Sequence, residues 1–139
     1  MCQFSLRGLQ LLVIDNDPDS RELLKVLFEA DGVEIVAAAS AGEALAVLEQ
    51  TQPDLLISEI CLPDEDGYSL ISKIRAIEGN LKIQIPAIVL TTCTGQSFRD
   101  HALVSGFCKY LSKPFNLDEL VASVAYLTGR AQGKASPAL

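Results

Sequence analysis

The chain has 139 residues, a formal net charge of −7 and 49% hydrophobic residues. This length predicts one domain, with enough apolar side chains for a buried core. Because binding to nucleic-acid phosphates requires clustered lysine and arginine, the negative charge argues against a nucleic-acid partner.

The hydrophobic residues do not form a membrane segment. No apolar run approaches the ~18 residues that a membrane span needs, and residues 1–7 lack the order of a signal peptide. We therefore predict a cytoplasmic protein with no membrane partner. The four cysteines form no C-x-x-C pair, which favours small buried hydrophobes over a zinc site or a disulfide framework. They are Cys2, Cys61, Cys93 and Cys108.

Strand patterns and helix patterns alternate along the chain. The predicted strands are 9–14, 33–39, 55–57, 85–90 and 110–112. The predicted helices are 18–30, a segment from 40, a segment from 66, 97–105 and a segment from 116. Asp17 and Pro18 suit the N-cap and the first position of the first helix. Ser40 to Glu43 and Asn116 to Glu119 have the spacing of capping boxes.

Apolar residues at helical spacing predict the buried face of each helix. The residues expected to face inward are Leu23, Leu24, Leu27 and Phe28 in the first helix, Ala44, Leu45, Val47 and Leu48 in the second, Leu70, Ile71, Ile74 and Ile77 in the third, and Leu117, Leu120, Val121, Val124 and Leu127 in the last.

Five strand–helix alternations require a parallel sheet with right-handed crossovers and helices on both faces. We predict an α/β fold with a doubly wound five-stranded parallel sheet, flavodoxin-like, in the strand order 2-1-3-4-5. Residues 1–8 are a lead-in, 9–128 form the domain, and the Gly-, Ala- and Ser-containing segment 129–139 is predicted to be a flexible tail.

Polar side chains follow four of the predicted strands. Asp15 and Asn16 follow the first strand, Glu59 the third, Thr91 the fourth and Lys113 the fifth. Because the carboxyl ends of parallel strands meet at one edge of a sheet, these side chains are expected to converge on one site.

Three segments in this order carry a family resemblance: Pro63-x-x-Asp66-Gly67, then Thr91, then Tyr110-x-x-Lys113-Pro114-Phe115. Together they resemble the receiver domain of two-component response regulators, over residues 8–128. The resemblance implies a signalling domain, not an enzyme, that accepts a phosphoryl group from a histidine kinase. In that family the acceptor is an aspartate, and Glu59 stands at its position.

The resemblance also implies a magnesium site. Asp15 and Asn16 stand where two acidic residues are expected, Glu59 contributes the acceptor carboxylate, and Cys61 would offer its backbone carbonyl. A neutral amide is a weaker ligand than a carboxylate for a hard cation, so Asn16 weakens the predicted Mg²⁺ binding.

The remaining implied roles concern the phosphoryl group and a conformational switch. Thr91 and Lys113 match the hydroxyl and the ammonium that hold the phosphoryl oxygens, and Thr91 and Tyr110 match the switch pair. Glu59 is one methylene longer than aspartate, and a displacement of about 1 Å can slow in-line attack about 100-fold. We therefore predict a pseudo-receiver in which Glu59 reaches Thr91 and Lys113 directly.

Two alternatives remain open from the sequence. The first is a receiver that is phosphorylated at Glu59 or Asp15. The second is a haloacid-dehalogenase-like phosphatase, because Asp15-Asn16-Asp17 has the Asp-x-Asp spacing, although the distal acidic pair of that family is missing. The partner surface implied by the resemblance is the fourth helix, fifth strand and fifth helix. Phe107, Tyr110 and Phe115 lie near that surface, which also leaves a homodimer open.

Overall fold

A computed structural model of the chain describes residues 5–79, 84–93 and 95–130. The strands are β1 (Gln10–Ile14), β2 (Glu34–Ala38), β3 (Leu55–Ser58), β4 (Ala87–Thr91) and β5 (Lys109–Ser112). The helices are α1 (Pro18–Glu29), α2 (Ala41–Gln50), α3 (Gly67–Glu78), α4 (Gln96–Ser105) and α5 (Leu117–Leu127). The bounds lie close to the predicted ones, and the largest difference is that β4 begins at Ala87 rather than at Ile85.

The five strands form one parallel sheet in the order β2-β1-β3-β4-β5. In the register of these strands, Leu12 of β1 lies opposite Val36 of β2 on one side and opposite Leu56 of β3 on the other. This arrangement confirms the predicted fold and strand order.

Each face of the sheet has its own apolar core, because successive residues of a strand point to opposite faces. Leu11 and Val13 pack in the core beneath α1 and α5. Leu12 and Ile14 pack in the core beneath α2, α3 and α4. These four residues are at most 1% exposed, so β1 is buried on both faces of the sheet.

Three apolar side chains that were predicted to face inward are exposed. Leu23 is 47% exposed, Ile77 is 55% exposed and Leu117 is 41% exposed. In α1, Leu24 and Phe28 take the inner position, and Leu23 lies about 100° away from Leu24 around the helix. The buried stripe is therefore narrower than the sequence indicates.

The cysteine prediction is also wrong where the structure can test it. Cys61 and Cys108 are exposed and Cys93 is half-buried, and all three are free thiols. Cys2 lies outside the described residues.

The predicted N-caps Asp17, Ser40 and Asn116 are confirmed, since the side chain of each cap accepts a hydrogen bond from a backbone N–H in the first turn. Asp66 caps α3 in the same way. Asp64 has a role that the sequence did not indicate. Its carboxylate accepts hydrogen bonds from the N–H groups of Ala41 and Gly42 at 3.0 and 2.8 Å. These bonds lower the pKa of Asp64 and join the β3–α3 turn to the start of α2.

The close packing around Gly67 explains why the Pro-x-x-Asp-Gly turn has glycine at this position. A Cβ atom at this position would lie 2.6 Å from the backbone oxygen of Glu59 and 3.1 Å from the Cα of Ile60. The Gly67 N–H donates to the Ile60 carbonyl at 2.6 Å. Only glycine allows α3 to begin this close to the end of β3, and that contact fixes the backbone beside Glu59.

The two ends of the described chain meet on the same side of the fold. Leu6 is 1% exposed and belongs to the core beneath α1 and α5. The Arg130 guanidinium donates to the backbone oxygens of Ser5 and Arg7. The predicted domain bounds at residues 8 and 129 stay predictions, and the predicted tail beyond residue 130 lies outside the described residues.

Within the described part of the chain, no helix is both long and apolar enough to cross a lipid bilayer.

Candidate functional site

The predicted site residues lie at the carboxyl edge of the sheet. Asp15 follows β1, Glu59 follows β3, Thr91 ends β4 and Lys113 follows β5. Because parallel neighbouring strands end at the same edge, residues far apart in sequence come into contact. Lys113 and Asp15 are 98 positions apart, yet their side chains are 2.7 Å apart.

The Glu59 carboxylate is 7% exposed and surrounded by hydrogen-bond donors. Its Oε2 atom accepts hydrogen bonds from the Thr91 hydroxyl and from the N–H groups of Ile60, at 2.8 Å, and Cys61, at 3.4 Å. Its Oε1 atom lies 3.3 Å from the Lys113 Nζ. Both oxygens therefore have partners within the protein.

Lys113 is the cation at the centre of this site. Its Nζ donates to Asp15 Oδ2 at 2.7 Å, to Ser20 Oγ at 3.2 Å and to Glu59 Oε1 at 3.3 Å. Burial disfavours the charged ammonium, but the hydrogen bond that Lys113 donates to Asp15 and the negative charges of Asp15 and Glu59 outweigh this effect, and the pKa of Lys113 is raised. Lys113 is therefore a charged amine that joins two carboxylates.

Asp15 is 4% exposed and is held from a second direction. Its Oδ1 atom accepts the Asp17 N–H at 2.9 Å. Arg21 donates to the Asp15 backbone oxygen at 2.6 Å. The Asp17 side chain caps α1, as predicted, and does not face Lys113 or Glu59 through any described hydrogen bond.

The predicted switch residues meet at one loop residue, Cys93. Thr91 is fully buried, and its hydroxyl oxygen accepts the Cys93 N–H at 3.2 Å. The Tyr110 hydroxyl donates to the Cys93 backbone oxygen. Arg99 lies over the Tyr110 ring, 4.9 Å from its centroid. Thr91 and Tyr110 are thus linked through the backbone of the loop after β4.

Two aromatic residues that were predicted near the partner surface are buried instead. Phe107 and Tyr110 are each 4% exposed and pack in the core beneath α2, α3 and α4. Phe115 is half-buried and packs against the opposite core. Neighbouring residues of a strand face opposite sides of the sheet. In β5, the Tyr110 ring lies on the side that is covered by α2, α3 and α4.

A family model described as the response regulator receiver domain matches residues 11–125. The chain belongs to the response regulator receiver family. Receivers of two-component systems are generally signalling domains without enzymatic activity, and they interact with histidine kinases and other proteins. This one has the fold of the family, and residue 59 is a glutamate.

Relatives of this receiver differ in overall length. The chain is 39% identical over 120 residues to an uncharacterized 14.6 kDa protein of Leptolyngbya boryana, which covers 86% of this chain and 90% of that protein. It is 35% identical over 128 residues to the virulence transcriptional regulatory protein PhoP of Salmonella typhimurium, covering 92% of this chain. That match spans 55% of PhoP, so this receiver is about half the length of that regulator.

Solved structures of response regulators superpose closely on this receiver. A two-component response regulator from Clostridium difficile gives a TM-score of 0.82 at 32% identity, covering 91% of this chain and all of that one. A response regulator from Chloroflexus aurantiacus gives 0.81 at 33% identity, covering 89% of this chain and all of that one.

Receiver domains commonly bind Mg²⁺ at their acidic pocket, so the predicted ligands of this receiver can be compared with that role. Asp15 and Glu59 are buried, whereas Asn16 and Cys61 are exposed. Both carboxylates are hydrogen-bonded to protein donors, and the Lys113 ammonium already contacts both. Within the described residues, no group of three or more His, Cys, Asp or Glu is arranged to hold a metal ion. The side chains as arranged do not fit a magnesium ion.

Two side chains of the site were not predicted from the sequence, namely Ser20 and Arg21. Ser20 receives a hydrogen bond from Lys113, and Arg21 orients the backbone of Asp15. Both lie in the first turn of α1, whose N-terminus follows β1 directly. Their position one turn after Asp17 is the signal that could have indicated them, because the first turn of such a helix borders the carboxyl edge of the sheet.

Proposed function

We propose that this receiver is a pseudo-receiver, which signals through protein contacts and is not normally phosphorylated. The observation that carries the proposal is that the Glu59 carboxylate already holds the Thr91 hydroxyl and contacts the Lys113 ammonium. These are the two groups that the family uses to hold the phosphoryl oxygens.

The chemistry of phosphoryl transfer supports this proposal. An acceptor carboxylate must present a free oxygen in line with the incoming phosphorus, and small displacements slow such attack steeply. In this receiver, Oε2 accepts three hydrogen bonds and Oε1 faces Lys113. Attack by Glu59 would require the loss of these contacts before the phosphoryl group could replace them.

A weakened magnesium site supports the same proposal. Mg²⁺ prefers several oxygen ligands in octahedral geometry. Asn16 supplies no charge, and the oxygens of Asp15 and Glu59 face the Lys113 ammonium and backbone N–H groups. To bind between these carboxylates, Mg²⁺ would have to compete with the positive charge of Lys113, so we propose that its affinity is low.

We also propose that Glu59 biases the receiver toward an active-like arrangement. Thr91 is turned toward Glu59, and Tyr110 is buried against the same loop, at Cys93. A carboxylate has less charge and fewer acceptor oxygens than a phosphoryl group, so the mimicry is partial. It nevertheless supplies a partner for both Thr91 and Lys113 without any phosphate.

The proposed partner surface is formed by α4, β5 and α5, in a cytoplasmic signalling protein. Its most exposed large apolar side chains are Leu103 and Val104 on α4, which are 47% and 85% exposed, and Tyr126 on α5, which is 57% exposed. These residues replace the buried Phe107 and Tyr110 as candidates for contact with a protein partner or a second copy of the chain.

The proposal is tested by measuring the intact mass of the protein after incubation with a small phosphodonor and Mg²⁺. The natural chain is compared with a Glu59→Asp, Asn16→Asp double variant. We expect only the double variant to gain a phosphoryl group, because it restores the shorter acceptor and the second acidic residue. A Glu49→Asp variant, which shortens an exposed glutamate of α2, is the matched control and should stay unmodified.

Phosphorylation of the natural chain would contradict the proposal. Mapping the modified residue would then distinguish Glu59 from Asp15 as the acceptor, and the receiver would be assigned to an ordinary phosphorelay with a histidine kinase.

A further inference from the structure

Two cysteines face each other beside the acidic site. Cys61 lies in the loop after β3, two residues beyond Glu59, and Cys93 lies in the loop after β4, two residues beyond Thr91. Because β3 and β4 are adjacent parallel strands, these two loops leave the sheet side by side. The Sγ atoms of Cys61 and Cys93 are 3.7 Å apart.

The geometry allows this pair to react. A disulfide bond is about 2.05 Å long, so the two sulfur atoms would have to approach by about 1.7 Å. Both cysteines lie in loops, outside the hydrogen-bonded ladder of the sheet. Cys61 is exposed and Cys93 is half-buried, and both are free thiols. A small oxidant can therefore reach the pair without unfolding the core.

We propose that Cys61 and Cys93 form a redox-reactive dithiol that a two-electron oxidant, hydrogen peroxide or a small-molecule disulfide, converts to an intramolecular disulfide. With hydrogen peroxide, one thiolate attacks an oxygen atom, breaks the O–O bond and becomes a sulfenic acid, while the other oxygen leaves as water. The second thiolate attacks that sulfur and expels a second water. Two thiols are oxidised and one peroxide is reduced to two waters.

This disulfide would affect the acidic site through backbone contacts. The Cys61 N–H donates to Glu59 at 3.4 Å, and the Cys93 N–H donates to Thr91 at 3.2 Å. The Cys93 carbonyl accepts from Tyr110. A covalent bond between the sulfurs would therefore restrain the backbone beside all three residues. The inference goes beyond the proposed function, because thiol oxidation requires neither phosphate nor magnesium.

In the reduced pair, the pKa of the Cys61 thiol is shifted by its surroundings. A hydrogen bond between the two sulfurs, together with partial burial and the negative charge of Glu59, raises the pKa of the Cys61 thiol. The thiolate is the attacking form, so the raised pKa slows attack by Cys61 at neutral pH.

Peptide mapping after oxidation tests this inference directly. The reduced chain is treated with hydrogen peroxide or oxidised glutathione, alkylated and digested with trypsin without reduction. Each of the four cysteines falls in a different tryptic peptide, at 1–7, 26–73, 83–99 and 100–109. We expect peptides 26–73 and 83–99 to be joined, and dithiothreitol to separate them.

Three serine variants and a denatured sample serve as controls. Cys61→Ser and Cys93→Ser should each abolish the linked peptides, whereas Cys108→Ser, which alters an exposed cysteine before β5, should leave their yield unchanged. In concentrated urea the preference for the Cys61–Cys93 pair should be lost, because the fold no longer brings the loops together. Separate adducts on Cys61 and Cys93 without a link, or links to peptide 100–109 at equal yield, would overturn the inference.

Discussion

The carboxylate of Glu59 lies between a hydroxyl and an ammonium group, and both contacts depend on the length of its side chain. Thr91 is fully buried at the end of β4, and Lys113 is held at 2.7 Å by Asp15 on the far side. The glutamate carboxylate contacts both. We propose that this one methylene group makes the carboxylate a partner in an ion-pair cluster rather than an open acceptor.

The raised pKa of Lys113 predicts a loss of stability in alkaline solution. Its folded-state pKa lies above its unfolded value of about 10.4, so its contribution is complete below that pH and is lost as the pH rises through the folded-state pKa. The free energy of unfolding should therefore fall above about pH 10.4, as measured by urea titration at several pH values. The fall should be smaller in a Lys113→Met variant, and an equal fall in both chains would contradict the assignment.

Gly67 is predicted to be intolerant of a larger side chain. A Cβ atom there would lie 2.6 Å from the Glu59 backbone oxygen, so Gly67→Ala must displace the start of α3 or the end of β3. We expect a loss of about 1–3 kcal/mol in the free energy of unfolding. Gly79→Ala is the matched control, because its added Cβ atom would be 3.5 Å from the nearest backbone oxygen. Equal effects of the two substitutions would refute this explanation.

At the residue scale, the sequence identified the polar side chains but not all of their contacts. Asp15, Glu59, Thr91 and Lys113 follow strands of a parallel sheet, so their convergence was predictable from position alone. The inward orientation of Tyr110 was not, because its position at a strand end is compatible with either face until the register of β5 is known.

The elements of the fold are joined by a second buried ion pair, centred on Arg75 of α3. Its Nη1 atom donates to Glu78 Oε1 at 2.6 Å and to the Ile85 backbone oxygen at 2.7 Å. Its Nε and Nη2 atoms donate to the Gly106 oxygen. Glu78 is 7% exposed and accepts the Ile85 N–H at 2.8 Å. Arg75 therefore connects α3 to the segment before β4 and to the end of α4.

Removal of the Arg75 side chain should be costly, because it leaves the Glu78 carboxylate buried without its charged partner. We expect Arg75→Met to lower the free energy of unfolding by about 3 kcal/mol, measured by urea denaturation. Lys73→Met breaks an exposed pair with Glu65 and should cost at most about 1 kcal/mol. Similar costs for these two variants would contradict the assigned role of Arg75.

At the element scale, strands, helices and caps were predictable because their signals are local. Apolar runs, the N-cap side chains and the glycine turns lie within the elements they define. The bonds from Arg75 to Gly106 and from Ala41 and Gly42 to Asp64 were not predictable. Their partners are brought together only by the fold, 22 residues apart or more for Asp64 and 31 for Arg75 and Gly106.

For the whole molecule, the sheet order explains why side chains from four strands meet at one acidic site. β1, β3, β4 and β5 are neighbours, and their carboxyl ends supply Asp15, Glu59, Thr91 and Lys113. Thr91 is linked through the Cys93 backbone to Tyr110, whose strand borders the proposed partner surface. The Glu59 carboxylate is therefore connected to β5 by a short chain of hydrogen bonds through Thr91, Cys93 and Tyr110.

The central claim is that Glu59 holds this chain of contacts in place of a phosphoryl group. Amide NMR spectra of the natural chain and of a Glu59→Gln variant, each recorded with and without a phosphodonor and Mg²⁺, test it most directly. We predict that the phosphodonor leaves the Thr91, Cys93, Tyr110 and Lys113 signals of the natural chain unchanged, and that Glu59→Gln alone shifts them. Signals that move with the phosphodonor in the natural chain, and do not respond to Glu59→Gln, would contradict the claim.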